Sequence, residues 1–196
     1  MSLFRFALLP QSRPCHTSNV RQKSKMITID GIGTFILGDY GLTEGQDYIN
    51  VPALGVECRF MIEGYEGDAK PSDFRDAMIQ FISLDPQVLT DASKHVFAYY
   101  TDIKNSGWGS PPEIPDPERV WDFVDFGTDA IVSRRGNGDD RVYISLESEC
   151  TWEREHGLQI VFRDGNFISK VGQFDGHVSN ADAFADPSME ETVYAA

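Results

Sequence analysis

The length, composition and charge of the chain are those of a single-domain globular protein, and they exclude several classes of function. Its 196 residues are enough to bury a hydrophobic core without disulfide bonds or a structural metal. The formal net charge of −14 argues against a nucleic-acid-binding protein, because a strongly negative surface repels phosphates. No apolar run approaches the roughly 18 residues that a membrane span needs, so we expect neither nucleic acid nor membrane as a partner.

Residues 1–25 differ in charge from the rest of the chain. They contain five basic residues and no acid, which leaves a net charge of −19 on residues 26–196. A segment that contains Arg and Ser and lacks acids resembles an organelle transit peptide. However, "MITIDGIGTF", which begins at Met26, is typical of a natural start that continues directly into a strand. We therefore predict a disordered or extended-start leader over 1–25 and a single globular domain over 26–196.

The cysteines argue for a reducing compartment. Cys15, Cys58 and Cys150 are odd in number and widely separated, and no C-x-x-C pair occurs. Neither a disulfide framework nor a thiolate zinc site is supported by such a set. The sequence therefore predicts a cytoplasmic protein.

The first half of the domain is predicted to contain strands followed by two helices. Residues 27–38 and 56–62 are rich in β-branched and aromatic residues and predict strands, with a shorter strand near 48–51. Apolar residues then recur at helical spacing, first behind Ser72, a good N-cap, and then behind Asp85. The two apolar stripes consist of Phe74, Met78, Phe81 and Ile82, and of Val88, Ala92, Val96, Tyr99 and Ile103.

The second half is predicted to be mainly β-structure. Residues 105–118 hold four prolines and predict a loop, after which the chain from Val120 onward has strand character. In residues 141–150 apolar residues alternate with Tyr143, Ser145, Glu147 and Glu149 on the opposite face. Strands around two consecutive helices predict an α+β fold, in which a mainly antiparallel sheet packs against the pair of helices.

The most specific local pattern is a hairpin over residues 158–171. Asp164 and Gly165 form a two-residue turn dipeptide between two strand-like runs, which predicts that Phe162 pairs with Phe167 and Leu158 with Val171. Extending the same register places Gly157 opposite Gly172. Beyond these glycines the predicted core face changes into a polar cluster made of Trp152, Arg154, His156, Asp175 and His177.

This predicted cluster permits more than one interpretation. Two imidazoles and a carboxylate could bind a divalent metal or transfer a proton, which makes His156, Asp175 and His177 the candidate metal ligands. Arg154 could hold an anionic group. The alternative is structural, with Arg154 and Asp175 as a cross-strand ion pair and the histidines at the edge of the core. No catalytic residue and no cofactor is assigned.

Motifs of known chemistry are absent from the sequence. The stretch "EREHG" matches neither H-E-x-x-H nor H-x-x-E-H, and the chain contains neither G-x-S-x-G nor a phosphate-binding P-loop. Glu147 and Glu149 point the same way on one predicted strand. Because paired glycosidase carboxylates normally come from different elements, we interpret these two as a solvated acidic face.

The C-terminal region resembles a group of bacterial proteins of uncharacterised function. These proteins carry W-E-x-E-H-G-L, then a hydrophobic strand ending in D-G, then D-G-H. The matching residues are Trp152, Glu153, Glu155, His156, Gly157, Leu158, Asp164, Gly165, Asp175, Gly176 and His177. The resemblance covers the last quarter to third of the chain. The resemblance implies a bacterial, intracellular protein. The genes of some relatives look like accessory genes near toxin or secretion loci. No catalytic residue is implied by the resemblance.

Three functional hypotheses follow. The first is a non-catalytic, acidic module that binds a basic protein, of the immunity type, because charge complementarity favours such a partner. The second is a small metal-binding or hydrolytic enzyme that uses His156, Asp175 and His177, with Arg154 orienting an anion. The third is a structural subunit of a homo-oligomer, which the predicted loop around Trp108 leaves open.

Overall fold

Strands dominate the part of the protein that the structure describes. The computed structural model describes residues 25–38, 41–107 and 109–195, so Trp108, Cys15 and nearly all of the predicted leader lie outside it. Within these ranges ten strands are found. They are β1 (Met26–Ile29), β2 (Gly33–Leu37), β3 (Leu42–Gly45), β4 (Ile49–Val51), β5 (Val56–Glu63), β6 (Val124–Asp125), β7 (Asp129–Arg134), β8 (Val142–Cys150), β9 (Leu158–Arg163) and β10 (Phe167–Gly172).

The strands form one mixed, mostly antiparallel sheet. Its main order is β1-β2-β3-β5-β7-β8-β9-β10, while β4 pairs with β5 and β6 pairs with β8. Among the described strands, only β5 and β7 pair in parallel. Since a parallel pair needs a long crossover, the connection between β5 and β7 holds the two long helices, α1 (Pro71–Ile82) and α2 (Gln87–Ser106). The α+β class and the mainly antiparallel sheet are thus confirmed.

The N-terminal region contains more strands, and shorter ones, than the sequence predicts. The single strand expected over 27–38 is in fact the hairpin of β1 and β2, which turns at residues 30–32 with Gly31 at φ 77°. Strand β3 is not predicted at all, because a run of only four residues that includes Glu44 and Gly45 has little strand character. The short strand expected near 48–51 is β4.

Both predicted helices form, and one of the two predicted caps is wrong. Helix α1 begins at Pro71, so Ser72 lies inside its first turn, and the preceding Lys70 makes no side-chain cap. Proline fits the first helical position because it has no N–H to leave unsatisfied. Asp85 accepts a hydrogen bond from the backbone N–H of Gln87 at 2.9 Å, although the residue directly before α2 is Pro86. Phe74, Met78 and Phe81 of the α1 stripe are fully buried.

The β-structure expected from Val120 onward begins four residues later, at β6. Residues Pro117–Phe123 form a 3₁₀ helix, whose start is capped by Asp116 through a hydrogen bond from the N–H of Arg119. The proline after an Asp cap favours helical geometry, and the apolar Val120 is buried inside that helix. The strand that follows, β6, is only two residues long.

The core lies on one face of the sheet. Alternate residues of the central strands point into it, among them Phe60 of β5 and Phe162 of β9. The ring of Phe81, on α1, contacts both of these rings edge-on, with centroids 6.0 and 5.0 Å away. We call the opposite face of β5, β7 and β8 the open face.

The chain after β10 passes across the outer strands. It contains a short helix, α3 (Asn180–Ala183), and a 3₁₀ turn at Pro187–Met189. Arg135, which is 8% exposed, holds this part of the chain by hydrogen bonds to the carboxylates of Asp182 and Glu190. Within the described ranges, no helix combines the length and the apolar character that crossing a membrane requires.

Candidate functional site

A groove of about 1340 Å³ runs over the open face. Its floor includes Met61 of β5, Ile131 of β7 and Ser145 of β8, which lie side by side across three neighbouring strands. Three chain segments border it: residues 122–128, residues 153–157 and residues 174–178. Since a groove over a sheet face offers both depth and a regular floor, it is a candidate binding site.

The lining of the groove is strongly acidic. Eight carboxylates contribute to it: Glu63, Asp122, Asp125, Asp129, Glu147, Glu149, Glu153 and Glu155. Among the described residues that line the groove, Arg154 is the only Lys or Arg. Two of the carboxylates are neutralised from outside the groove, since Arg59 pairs with Asp129 at 2.9 Å and Arg119 pairs with Asp122.

Two groove carboxylates lie directly opposite each other. Strands β6 and β8 are antiparallel, and their register pairs Asp125 with Glu149. Both residues are exposed. Like charges at opposite positions of a sheet repel each other and destabilise it, so a cation placed between them would be stabilised. This pair is therefore one place in the groove where positive charge is favoured.

The loop 151–157 closes one end of the groove and is held by its own polar contacts. The carboxylate of Glu153 accepts hydrogen bonds from the backbone N–H groups of Glu155 (2.8 Å) and His156 (2.6 Å). The Tyr99 hydroxyl on α2 donates to the carbonyl of Gly157 at 3.0 Å. Trp152 is buried away from the groove, with its ring edge-on to Tyr99 and Tyr100.

The predicted register of the C-terminal hairpin is wrong. Arg163 pairs with Phe167, so the loop holds three residues, and a bulge between Ile168 and Lys170 shifts the register again. Asp164 and Gly165 do occupy the turn, both at positive φ. Gly172 lies opposite Gln159 and not opposite Gly157, and the strands end there. The cluster therefore does not form by strand pairing.

A buried lysine organises the segment 173–178. Lys170, which is 2% exposed, donates hydrogen bonds to Gln159 (2.9 Å), to Asp175 and to the carbonyl of His177 (3.3 Å). Burial lowers the pKa of Lys170, which the neighbouring Asp175 partly opposes. Gln159 also donates to Ser145 on the groove floor at 2.8 Å. The segment is thus tied to the floor through one polar network.

Of the five predicted cluster residues, the structure brings Asp175 and His177 into contact and gives the other three different surroundings. Arg154 and His156 line the groove, Trp152 packs behind it, and Asp175 pairs with Lys170. His156 lies 3.5 Å from Glu153, and His177 lies 3.5 Å from Asp175, both measured from Nδ1 to the carboxylate oxygen. In the described ranges no three His, Cys, Asp or Glu side chains are grouped so as to hold a metal ion. Their role in binding a ligand or partner stays a prediction.

Most of the groove is not predicted from the sequence. Glu147 and Glu149 are predicted only as part of a solvated face, and no sequence pattern singles out Asp125, Gln159 or Lys170. The signal for the first two was present, since their alternation with Leu146 and Ser148 places them on one face of β8. What no local pattern shows is that β6 pairs with the end of β8 and brings Asp125 to Glu149.

The two described cysteines are unsuited to nucleophilic chemistry. Both thiols are buried, and burial raises the pKa of each to about 11. A thiol with so high a pKa is almost fully protonated at neutral pH, and the thiolate is the reactive form. Cys150 lines the groove but donates its hydrogen to the carbonyl of Glu153 at 3.2 Å.

Comparison with known proteins adds a family but no activity. Neither the curated proteins nor the solved structures contain a match to this chain. One family model, described as a domain of unknown function (DUF6985), matches residues 32–178. These residues include every strand from β2 to β10 and all of the groove lining. The chain therefore belongs to the DUF6985 family.

Proposed function

We propose that the protein is a non-catalytic, cytoplasmic binding module of the immunity type, which uses its acidic groove to bind a basic partner protein. The observation that carries this proposal is the imbalance of charge in the groove, where eight carboxylates face a single Arg154. Complementary potentials steer a partner to such a surface and suppress partners of the same charge. A basic partner is the one that this surface favours.

The groove carboxylates available to a partner protein are those that form no ion pair within the chain. Within the described residues, five groove carboxylates take part in no ion pair: Glu63, Asp125, Glu147, Glu149 and Glu155. A partner that neutralises them relieves their mutual repulsion as well as forming new ion pairs. This relief favours binding, because like charges on one surface destabilise the unbound state.

The groove hydroxyls give little support to a hydrolytic role. The Ser145 hydroxyl accepts a hydrogen bond from Gln159, and the Ser148 hydroxyl accepts one from the backbone N–H of Gly127 at 3.3 Å. Neither contact is to a general base, which an activated serine needs. These two serines therefore lend no support to a hydrolytic role, and the alternative that uses His156, Asp175 and His177 stays a prediction.

In this proposal the two consecutive helices support the sheet from behind, and the open face remains free for the partner. The contacts of Phe81 on α1 with Phe60 and Phe162 support this arrangement. On α2, Tyr99 supports it through its contact with Trp152, which holds the loop 151–157 in place. A rigid groove costs less ordering on binding.

The proposal is tested with a labelled basic heptapeptide, Lys-Ser-Lys-Ser-Lys-Ser-Lys, whose affinity is followed by fluorescence anisotropy at low and high salt. We expect binding to the full chain that weakens as salt is raised, because the attraction is screened. The double variant Glu147→Gln/Glu149→Gln should bind about tenfold more weakly at low salt.

The matched control is Glu57→Gln/Glu118→Gln. It changes the net charge by the same amount, but both residues are exposed and lie outside the groove. It should keep nearly the affinity of the unmodified protein. Equal losses of peptide affinity in the two double variants would mean that only the total charge of the protein matters. This result would overturn the proposal that the groove is the binding surface.

A further inference from the structure

The side chains of the groove floor form successive rows along the strands, and the rows differ in chemical character. Met61, Ile131 and Ser145 form one row across β5, β7 and β8. Met61 and Ile131 are partly exposed, so this row offers apolar surface at the centre of the groove. Because side chains two residues apart share a face, the rows on either side lie roughly 7 Å away along the strands.

Carboxylates occupy the rows on both sides of this apolar centre. Glu63 follows Met61 by two residues on β5, and Glu147 follows Ser145 by two residues on β8. Since β5 is parallel to β7 and β7 is antiparallel to β8, the two glutamates lie on opposite sides of the apolar row. Glu149 and Asp125 form a further acidic row beyond Glu147, roughly 13 Å from the centre.

We propose that the groove recognises an extended segment of its basic partner, in which cationic and apolar residues alternate in a fixed order. The order is basic-x-apolar-x-basic-x-basic, where x is any residue. An extended chain repeats every second residue with the same roughly 7 Å spacing as the rows of the floor. The apolar residue packs on Met61 and Ile131, and the cations meet Glu63, Glu147 and the Asp125–Glu149 pair.

This arrangement has the form of a binding hot spot. An apolar anchor at the centre contributes affinity through burial, and charges around it fix the register. Phe174, which is 39% exposed, lies on the border of the groove and adds apolar surface there. The inference rests on the proposed function, because it specifies which basic segment the same groove takes.

The test compares three heptapeptides of equal charge, again by anisotropy with the full chain. They are Lys-Ser-Leu-Ser-Lys-Ser-Lys, the same composition with leucine moved to the end (Leu-Ser-Lys-Ser-Lys-Ser-Lys), and Lys-Ser-Ser-Ser-Lys-Ser-Lys. We expect the first to bind about tenfold more tightly than the other two, as burial of one large apolar side chain predicts.

Variants of the groove floor test whether the apolar row causes the preference for the first peptide. Ile131→Ser should remove the preference for the first peptide and leave the salt dependence of binding unchanged. Ile36→Ser is the matched control, because Ile36 is also partly exposed on an inner strand, β2, but does not line the groove. It should keep the preference in full.

The outcomes separate this inference from the function on which it rests. If all three peptides bind equally and Glu147→Gln/Glu149→Gln weakens them equally, the groove binds positive charge without reading its order, and the inference is overturned while the proposed function stands. If none of the three binds even at low salt, both fail. A preference that survives Ile131→Ser would also overturn the inference, because it would place the apolar contact elsewhere.

Discussion

Gly165 marks a close approach between the C-terminal hairpin and helix α1. Its φ is 79°, and a Cβ built there would lie 1.9 Å from the carbonyl oxygen of Ala77. Gly165→Ala therefore combines an unfavourable backbone conformation, which costs roughly 1–2 kcal/mol, with a steric clash that costs about 1–3 kcal/mol more. Urea unfolding should show this loss of stability.

Gly55 provides the control for the backbone cost alone. Its φ is 70°, but a Cβ there meets no atom within 4 Å. Gly55→Ala should cost only roughly 1–2 kcal/mol. If the two alanine variants were equally stable, the hairpin turn would not contact α1 in the way described.

Asp68 and Arg134 should control stability in acid. Two guanidinium hydrogen bonds from Arg134, at 2.8 and 3.0 Å, lower the pKa of Asp68 below its ordinary value. A carboxyl whose pKa is lower in the folded state stabilises the fold above its unfolded pKa, about 4, and this stability is lost as pH falls through the folded pKa. Asp68→Asn should therefore flatten the decline of unfolding free energy below about pH 4.

The matched variant for this titration is Asp76→Asn. Asp76 also pairs with an arginine, Arg75, at 2.9 Å, but its side chain is 64% exposed. Exposed ion pairs contribute little to stability, so the acid decline should remain as in the unmodified protein. Denaturant unfolding at a series of pH values measures both variants, and identical pH curves for the two would contradict the role given to Asp68.

At the scale of elements, the segment 173–178 depends on one buried charge. Asp175 accepts hydrogen bonds from Lys170 and from the backbone N–H of His177. Asp175→Ala leaves the ammonium of Lys170 buried without its carboxylate, and a lost bond of this kind costs about 1–3 kcal/mol. Amide hydrogen exchange should become faster at residues 173–178 and stay unchanged in β8.

Asp30→Ala is the control for this prediction. Asp30 is 98% exposed, and its closest ion-pair contact, to Arg75, is 3.9 Å long. The exchange pattern of the Asp30→Ala variant should match that of the unmodified protein. Unchanged exchange at 173–178 in Asp175→Ala would show that the segment is held by other contacts.

The elements also show why some of the fold follows from the sequence and some does not. The helices and β8 are predicted well, because their apolar periods are long enough to be recognised. The register of β9 and β10 is not, because the turn holds three residues instead of two and the bulge near Ser169 adds one more, and neither has a local signal. Each added residue shifts every later pair, and the strands end at Leu158 and Gly172, so Arg154 and Asp175 are not paired across the hairpin.

At the scale of the whole molecule, the candidate site depends on which strands pair with each other. The crossover between β5 and β7 makes Met61 and Ile131 neighbours, and the short strand β6 adds Asp125 beside Glu149. Residues from four separate strands thus form one surface. The net charge of −14, by contrast, is evident from the sequence and already favours a basic partner.

The most direct test of the central claim is a map of where a basic segment binds. The heptapeptide Lys-Ser-Leu-Ser-Lys-Ser-Lys is titrated into the isotope-labelled full chain, and amide chemical shifts are followed by NMR. We expect the largest changes at Ile131 and at residues 145–149, and we expect Glu147→Gln/Glu149→Gln to reduce them strongly. Changes of equal size spread over all acidic surfaces, or confined to a region outside the groove, would contradict binding in the groove.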